Sequence, residues 1–516
     1  MASTRAMKRP AKGEIRVSSK TLIHISQGIY RSTASTLREL VSNAYDVDAT
    51  EVVITTNPPR FDHVTCTDNG AGMTLDAFIG LMDGGIGDSG KRVGKGLTAK
   101  LRRPVIGRIG IGLLAVAQLS NAFEVWSHHR DTETAFHGTV TLHDRLSDEA
   151  DQVDPDTTEI LPMGEYDTAR IPFDPKRTGT TIVVSDVKRG FTRKHAPPTE
   201  FHAPPTDFRQ FLDRCFSERR ISSLGHYWEL LWGLAVQCPI PYLPEGPTGE
   251  PPALAAASKR LNKQGLRLVV DQLRLWKPGP WQRLDGSANR NIEAHMAPFE
   301  LDKAVAGKPL KVSGYLYAQN EAIKPTERRG VLVRIRDVGI GGYDRGFLDY
   351  DRASEGPRAH WISGELYVEQ GLENALNVDR DSFNEMHPHY LYLQEQLHET
   401  LLPLFRGMQS GQRKRRAREH REQEEQSIQR LLGAIKDVTN VSFSFETAAD
   451  DTGRLVRVDR KRRKIYVDEG AEWPSGSATA ELAKLIAVAR AVADSEPRKH
   501  ARKRDEVFLH LLREVL

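Results

Sequence analysis

Apolar residues recur every three or four positions in TLIHISQGIYR and STLRELVSNAYDVDA, and every second position in EVVITT, HVTCTD, AFEVWSH, AFHGTVTLH and TTIVVSDV. The first spacing predicts amphipathic helices and the second half-buried strands. Their alternation from Thr21 to about Val187 predicts an α/β layer domain over 20–195. The proline-rich KHAPPTEFHAPPTD, with two copies of HAPPT, reads as a linker and sets a boundary at 195–208. HYWELLWGLAVQCPIPYL then opens a second α+β unit, which runs through LRLVVDQLRLW, LKVSGYLYAQ, GVLVRIRDVGI and ISGELYVEQ to residue 390. After Pro388 the pattern predicts one long helix, or two, with a basic and then acidic middle: a connecting or dimerising arm over 391–437. Strands in VSFSFET, RLVRVD and KIYVDE, followed by helices in ATAELAKLIAVARAVAD and RDEVFLHLLREVL, predict a small α+β module over 438–516.

Composition narrows the class. A chain of 516 residues is too long for one ordinary core. With 39% hydrophobic and 28% charged residues it is globular, and no apolar run is long enough to span a bilayer. The N-terminal MASTRAMKRPAKGE is basic but has no apolar segment after it, so residues 1–19 read as a disordered tail without a secretory signal, and the expected location is cytoplasmic. Cys66, Cys215 and Cys238 are widely separated and indicate neither a disulfide framework nor a zinc site. A net charge of +4 leaves any case for nucleic acid to local basic runs.

Candidate chemistry begins in ELVSNAYD. At about 100° per residue, Glu39, Asn43 and Asp46 share one helix face, opposite Leu37, Leu40, Val41, Ala44 and Val47. Downstream, HVTCTDNGAGMT ends a strand in Asp68, whose carboxylate suits an exocyclic amine such as that of adenine, and turns through Gly70 and Gly72. The glycine-rich, basic DGGIGDSGKRVGKGLTAKLRRPVIGRIGIG has the character of a mobile phosphate-covering lid over 83–109, followed by an apolar helix after Gly112. RTGTTIVVSDV places Thr180 at a strand entrance.

ELVSNAYD, DNGAGM, GRIGIG and GTTIVV resemble, in order and spacing, the four nucleotide-binding boxes of the Bergerat-fold (GHKL) ATPases, the superfamily of gyrase B, Hsp90, MutL, MORC and histidine-kinase proteins. The resemblance implies a mixed sheet covered by helices, followed by a ribosomal-S5-like transducer domain over 208–390. It implies ATP and Mg²⁺ as ligands: Asn43 on the metal, Asp68 on the adenine amine, and Asp46 in support. Gly70, Gly72 and Met73 would line the base pocket, Gly107, Gly110, Ile111 and Gly112 the triphosphate cradle, and Thr180 a water-mediated base contact. Lys91, Lys95 and Arg108 would add phosphate charge. Glu39, one turn before Asn43, would orient the attacking water and take its proton, which favours hydrolysis over phosphotransfer to protein.

In GELYVEQGLENALNVDRDSFNE, Arg380 follows a Leu-Asn-x-x tetrad, as in the Hsp90 middle-domain segment, and would meet the γ-phosphate. Lys324, Arg328 and Arg329 form a competing source of that contact. No Toprim region, endonuclease metal motif or large chaperone dimerisation domain follows residue 390. The resemblance therefore implies an ATP-gated clamp or switch, working as a nucleotide-dependent homodimer. It would act on DNA or RNA through RKRRAR at 413–418 and RKRRK at 460–464; the alternative is Hsp90-like remodelling of a protein client.

Overall fold

The computed structural model describes residues 12–18, 32–85, 96–107, 112–143, 160–196, 201–244, 252–279, 294–319, 321–350, 356–377, 380–448, 455–468, 477–495 and 501–515. The helix expected in TLIHISQGIYR lies outside them. The tail expected at 1–19 needs correction, because Lys12–Ser18 form strand β1, antiparallel to Ile160–Ile171. Ile15 is fully buried and enters the core, but the partner strand lies far along the chain and no local signal announces it.

Helix α1 (Thr33–Asp46) leads to β2 (Glu51–Thr55), β3 (Val64–Asp68) and the short α2 (Leu75–Gly80). Strands β4 (Ala122–His129), β5 (Thr134–Leu142), β6 (Ile160–Ile171) and β7 (Gly179–Val184) follow, then α3 (Arg189–His195), α4 (Phe208–Ser217), α5 (His226–Gln237) and α6 (Pro252–Gln264). Strands β8 (Arg267–Val270) and β9 (Leu273–Leu275) complete a nine-stranded mixed sheet in the order β1-β6-β5-β4-β7-β3-β2-β8-β9. Its one parallel pair, β2 with β8, joins sequence from both sides of the 195–208 linker. Leu268, Val270, Leu273 and Leu275 enter the same core as Val52 and Ile54.

Helix α5 is buried on nearly every side because HYWELLWGLAVQ is apolar all round, the signature of a helix between layers rather than on a surface. It packs on α1, where a side chain at Gly233 would meet the Ala34 methyl at 2.7 Å.

Strands β10 (Ala294–Val305), β11 (Lys308–Gln319), β12 (Gly330–Ile335), β13 (Val338–Gly339) and β14 (Ile362–Gln370) form a second sheet, ordered β10-β11-β14-β12-β13. Every residue of β12 is buried. Helix α7 (Pro388–Thr439) supplies Leu393, Leu397, Leu401 and Phe405 to this second core, one ridge at helical spacing. It is a single helix that includes Pro403, and residues up to Met408 belong to the first compact unit.

The second unit, Gln409–Leu516, holds β15 (Ser444–Ala448), β16 (Val456–Asp459) and β17 (Lys464–Asp468) in the order β15-β17-β16, with α8 (Ser477–Asp494) and α9 (Ala501–Val515). Ile465, Val467, Val488, Val492 and Leu511 form its core. Among the described residues no helix is long and apolar enough to cross a membrane.

Candidate functional site

Helix α1 starts cleanly because the Ser32 side chain accepts the Ser35 N–H at 3.1 Å. Its apolar stripe buries Leu37, Leu40, Val41 and Ala44 as the pattern predicts. The opposite side differs from a solvated face: Arg38 is fully buried and Glu39 only 4% exposed, whereas Asn43 and Asp46 stay half-exposed. What covers Glu39 is a loop from beyond the second sheet. The Leu376–Phe383 bridge and the Arg380 N–H to Asn377 carbonyl bond (3.0 Å) fold this loop so that Arg380 and Asp381 meet α1.

Four alternating charges result. Asp381 Oδ1 accepts from Arg38 Nη1 at 2.6 Å, Arg38 Nη2 donates to Glu39 Oε1 at 3.1 Å, and Arg380 Nη1 donates to Glu39 Oε2 at 3.2 Å. Ser35 Oγ donates to Asp381 Oδ2 at 2.5 Å. Burial by itself would raise the Glu39 carboxyl, but Arg380 and Arg38 outweigh it and hold the group below the ordinary glutamate value. Buried charges repay their desolvation only when partnered in this way, so the row specifies geometry more than it adds stability.

The second carboxylate, Asp46, grips backbone: the N–H groups of Ile106 and Gly107 donate to its oxygens at 2.7 and 2.6 Å. Gly107 is closely fitted, since a Cβ there would lie 2.9 Å from Asp46 Oδ2. Asp48 likewise accepts from the Thr98 hydroxyl and from the N–H groups of Lys100 (2.8 Å) and Leu101 (3.1 Å). Buried Arg103 donates to the Ala49 carbonyl at 2.6 Å and to the Gln264 carbonyl, and lies over the Tyr45 ring at 4.6 Å. These anchors correct the expectation of mobility throughout 83–109. Residues 96–107 are pinned to the end of α1, because Asp46 and Asp48 take their backbone N–H groups and Arg103 reaches back to the Ala49 and Gln264 carbonyls. The apolar helix expected after Gly112 is a 3-10 helix, Gly112–Gln118. Lys91, Lys95, Arg108, Gly110 and Ile111 lie outside the described residues.

Asp68 ends β3, and its Oδ1 accepts the Gly70 N–H at 2.7 Å. Burial pushes its carboxyl up to about 6 against the opposing N–H bonds of Gly70 and Thr180. Desolvation outweighs both N–H bonds, so the carboxylate is one that a further donor would favour. Ser127 joins the neighbouring pieces: its Oγ accepts from the Met73 N–H at 2.7 Å and lies 3.1 Å from Thr180 Oγ1. Gly72 has φ +77°, and a Cβ there would strike the His128 carbonyl at 2.3 Å, so the turn is glycine in order to pass β4. Gly179 has φ +123° and would strike the Asp68 carbonyl at 2.0 Å. Arg130 closes the turn by donating to the Asn69 and Gly70 carbonyls at 3.1 and 3.3 Å.

The Asn43 side chain has no hydrogen-bond partner among the described residues, which leaves its carboxamide oxygen available to a cation and its NH₂ to an anion. Within the Lys324, Arg328 and Arg329 cluster the two arginines bond locally. Arg328 lies over the Phe216 ring at 4.2 Å and donates to the Lys324 carbonyl at 3.2 Å, and Arg329 Nε donates to the Ile323 carbonyl at 2.7 Å. Of the two candidate sources, Arg380 is the one that reaches Glu39. Sequence reasoning missed Arg38, Asp48, Arg103, Arg130 and Asp381. The usable signal was an arginine bordering the apolar stripe of α1, beside a candidate base.

Residues 30–169 match the model of the family described as "Histidine kinase-, DNA gyrase B-, and HSP90-like ATPase". A 145-residue stretch is 33% identical to a protein of Herpetosiphon aurantiacus named "Putative type II restriction enzyme HgiDII", covering 25% of this chain and 22% of that protein. The match therefore spans about a fifth of the relative's length.

Proposed function

From the premise that residues 30–169 form a GHKL-type ATPase domain, we propose that the protein binds Mg²⁺-ATP between α1 and the Asp68 turn and hydrolyses it, using Glu39 as the general base. The observation that carries this reading is the buried Glu39 carboxylate, one turn before the unpartnered Asn43 and bracketed by Arg380 from beyond the second sheet. Asp68 accepts the adenine amine. Asn43 would hold Mg²⁺, which would supply charge neutralisation at the phosphates. Glu39 orients water and takes its proton as the new P–O bond forms and the β–γ bridge breaks. While Arg38 and Arg380 hold both its oxygens, Glu39 is a weak base. A γ-phosphate beside the Ile106–Gly107 loop competes for the Arg380 guanidinium, which frees Oε2 to accept the proton.

Glu39→Gln tests this: turnover falls by roughly 10²–10⁴-fold while ATP affinity is kept. Ordinary turnover by that variant refutes the base assignment.

We infer that the cycle drives a nucleotide-dependent homodimer that clamps nucleic acid. In the C-terminal unit, Lys461, Arg462 and Arg463 are exposed at the β16–β17 hairpin tip, and Arg457 lies over the neighbouring Tyr466 ring at 4.8 Å. The relative named as a restriction enzyme favours the same partner class. The run 413–418 lies in α7, with its side chains outside the described residues. Neutralising 461–463 should flatten the dependence of log affinity for duplex DNA on log salt by about 2–3 in slope. No binding at low salt overturns this part of the proposal.

A further inference from the structure

The loop joining β12 to β13 is two residues long, Arg336 and Asp337, between the paired Ile335 and Val338. Both residues have positive φ, 53° and 67°. Two-residue hairpin loops with positive φ at both positions strongly favour Asn-Gly and similar pairs, and an ordinary L-residue is held there only at a cost. An Arg-Asp pair in this turn needs an explanation outside the turn.

Both side chains supply one. Asp337, 4% exposed, accepts a fork from Arg260 of α6, with Nε to Oδ2 at 2.8 Å and Nη2 to Oδ1 at 2.5 Å. This fixes the turn against the first layer. Arg336 Nη1 donates to the Val105 carbonyl, while Nη2 lies 3.8 Å from Glu373 Oε1. Val105 immediately precedes the two residues whose N–H groups Asp46 holds, and the Ile106 carbonyl accepts from Arg380 Nη2 at 2.5 Å. The strand of backbone entering the glycine loop is therefore held on its amide side by α1 and on its carbonyl side by two arginines from the second sheet region. Arg380 also contacts Glu39, so the expected base, the loop and the second sheet region share one set of bonds.

We propose that Arg336 is a positioning residue for ATP hydrolysis. By fixing the Val105 carbonyl it holds the neighbouring Ile106 carbonyl where Arg380 bonds it, and so sets how Arg380 meets Glu39. Arg336 touches no reacting atom. The proposal rests on the hydrolysis reading above.

Arg336→Asn separates this role from a structural one, because asparagine suits the turn better than arginine does. The melting temperature should hold or rise. Hydrogen exchange at the Ile106 and Gly107 amides should quicken roughly tenfold, and kcat should fall roughly tenfold with KM within about threefold, since the adenine contact is remote from the change. Arg336→Lys keeps a donor for the carbonyl and should recover much of the rate. Wild-type kcat and unchanged exchange in Arg336→Asn overturn the proposal, and so does a fall in melting temperature that accounts for the lost activity while exchange is unchanged. If the wild-type protein does not turn over ATP, the hydrolysis reading fails by itself. Exchange then decides Arg336 alone, and unchanged rates overturn its hold on the loop.

Discussion

Asp381→Ala should destabilise the first compact unit even though Asp381 sits at a loop tip. Its side chain is 6% exposed, it pairs with the fully buried Arg38 at 2.6 Å, and it accepts from Ser35 at 2.5 Å. Truncation leaves the Arg38 and Arg380 guanidiniums sharing one carboxylate, Glu39, in a region shielded from water. Breaking a buried pair costs about 3–5 kcal/mol. Arg38 retains Glu39 at 3.1 Å and the Gly339 carbonyl at 3.5 Å, which places the loss near the lower end, about 3 kcal/mol. Asp381→Asn keeps the shape and an acceptor but removes the charge, and should cost about half as much, roughly 1.5 kcal/mol. Calorimetry at pH 7.5 should show the main transition of the Ala variant lowered by roughly 3–4 °C, with the Asn variant between it and wild type. A loss below about 1 kcal/mol in the Ala variant, or an Asn variant as damaged as Ala, refutes the reasoning that charge pairing holds this loop on α1.

Two further outcomes follow from the base pocket. Burial raises the Asp68 carboxyl to about 6, and the ionised form is the better acceptor for an amine. ATP affinity measured by calorimetry should therefore fall as pH drops from 7.5 through about 6, and Asp68→Asn should be weaker and flat across that range; equal pH profiles would exclude the contact. Gly179→Ala places a Cβ 2.0 Å from the Asp68 carbonyl at a φ that alanine avoids. It should lower stability by at least ~2 kcal/mol in denaturant melts and lose ATP binding with it, and wild-type stability would show that the strand can yield.

Legibility in the sequence tracked the distance over which a residue's reason operates. The shared face of Glu39, Asn43 and Asp46 follows from helical geometry within eight residues, and α1 spans Thr33–Asp46 as that spacing requires. Asp68 at a strand end and Thr180 at a strand start were equally local, and the sheet brings the Thr180 N–H to the Asp68 carboxylate. The environment of each group was not local. Arg38 has no visible partner until Asp381 is known to cover it, and what Asp46 supports stays hidden until the Ile106 and Gly107 amides are seen on its carboxylate. The mobility inferred for 83–109 failed at 96–107 for the same reason: glycine content reports what a backbone can do, and Asp48 and Arg103 decide what it does. β1 escaped notice because five or six alternating residues carry too little pattern without their partner strand.

The parallel pairing of β2 with β8 has a consequence for inheritance. A piece of chain ending at the 195–208 linker would leave the Glu51–Ile54 backbone groups that face β8 unpaired, an open edge that invites aggregation. The nucleotide-binding layer is therefore no portable cassette. Recombination at the linker, where the composition invites a cut, would strand both halves, so a lineage that keeps the nucleotide site must keep the following segment with it, and the two change together or not at all.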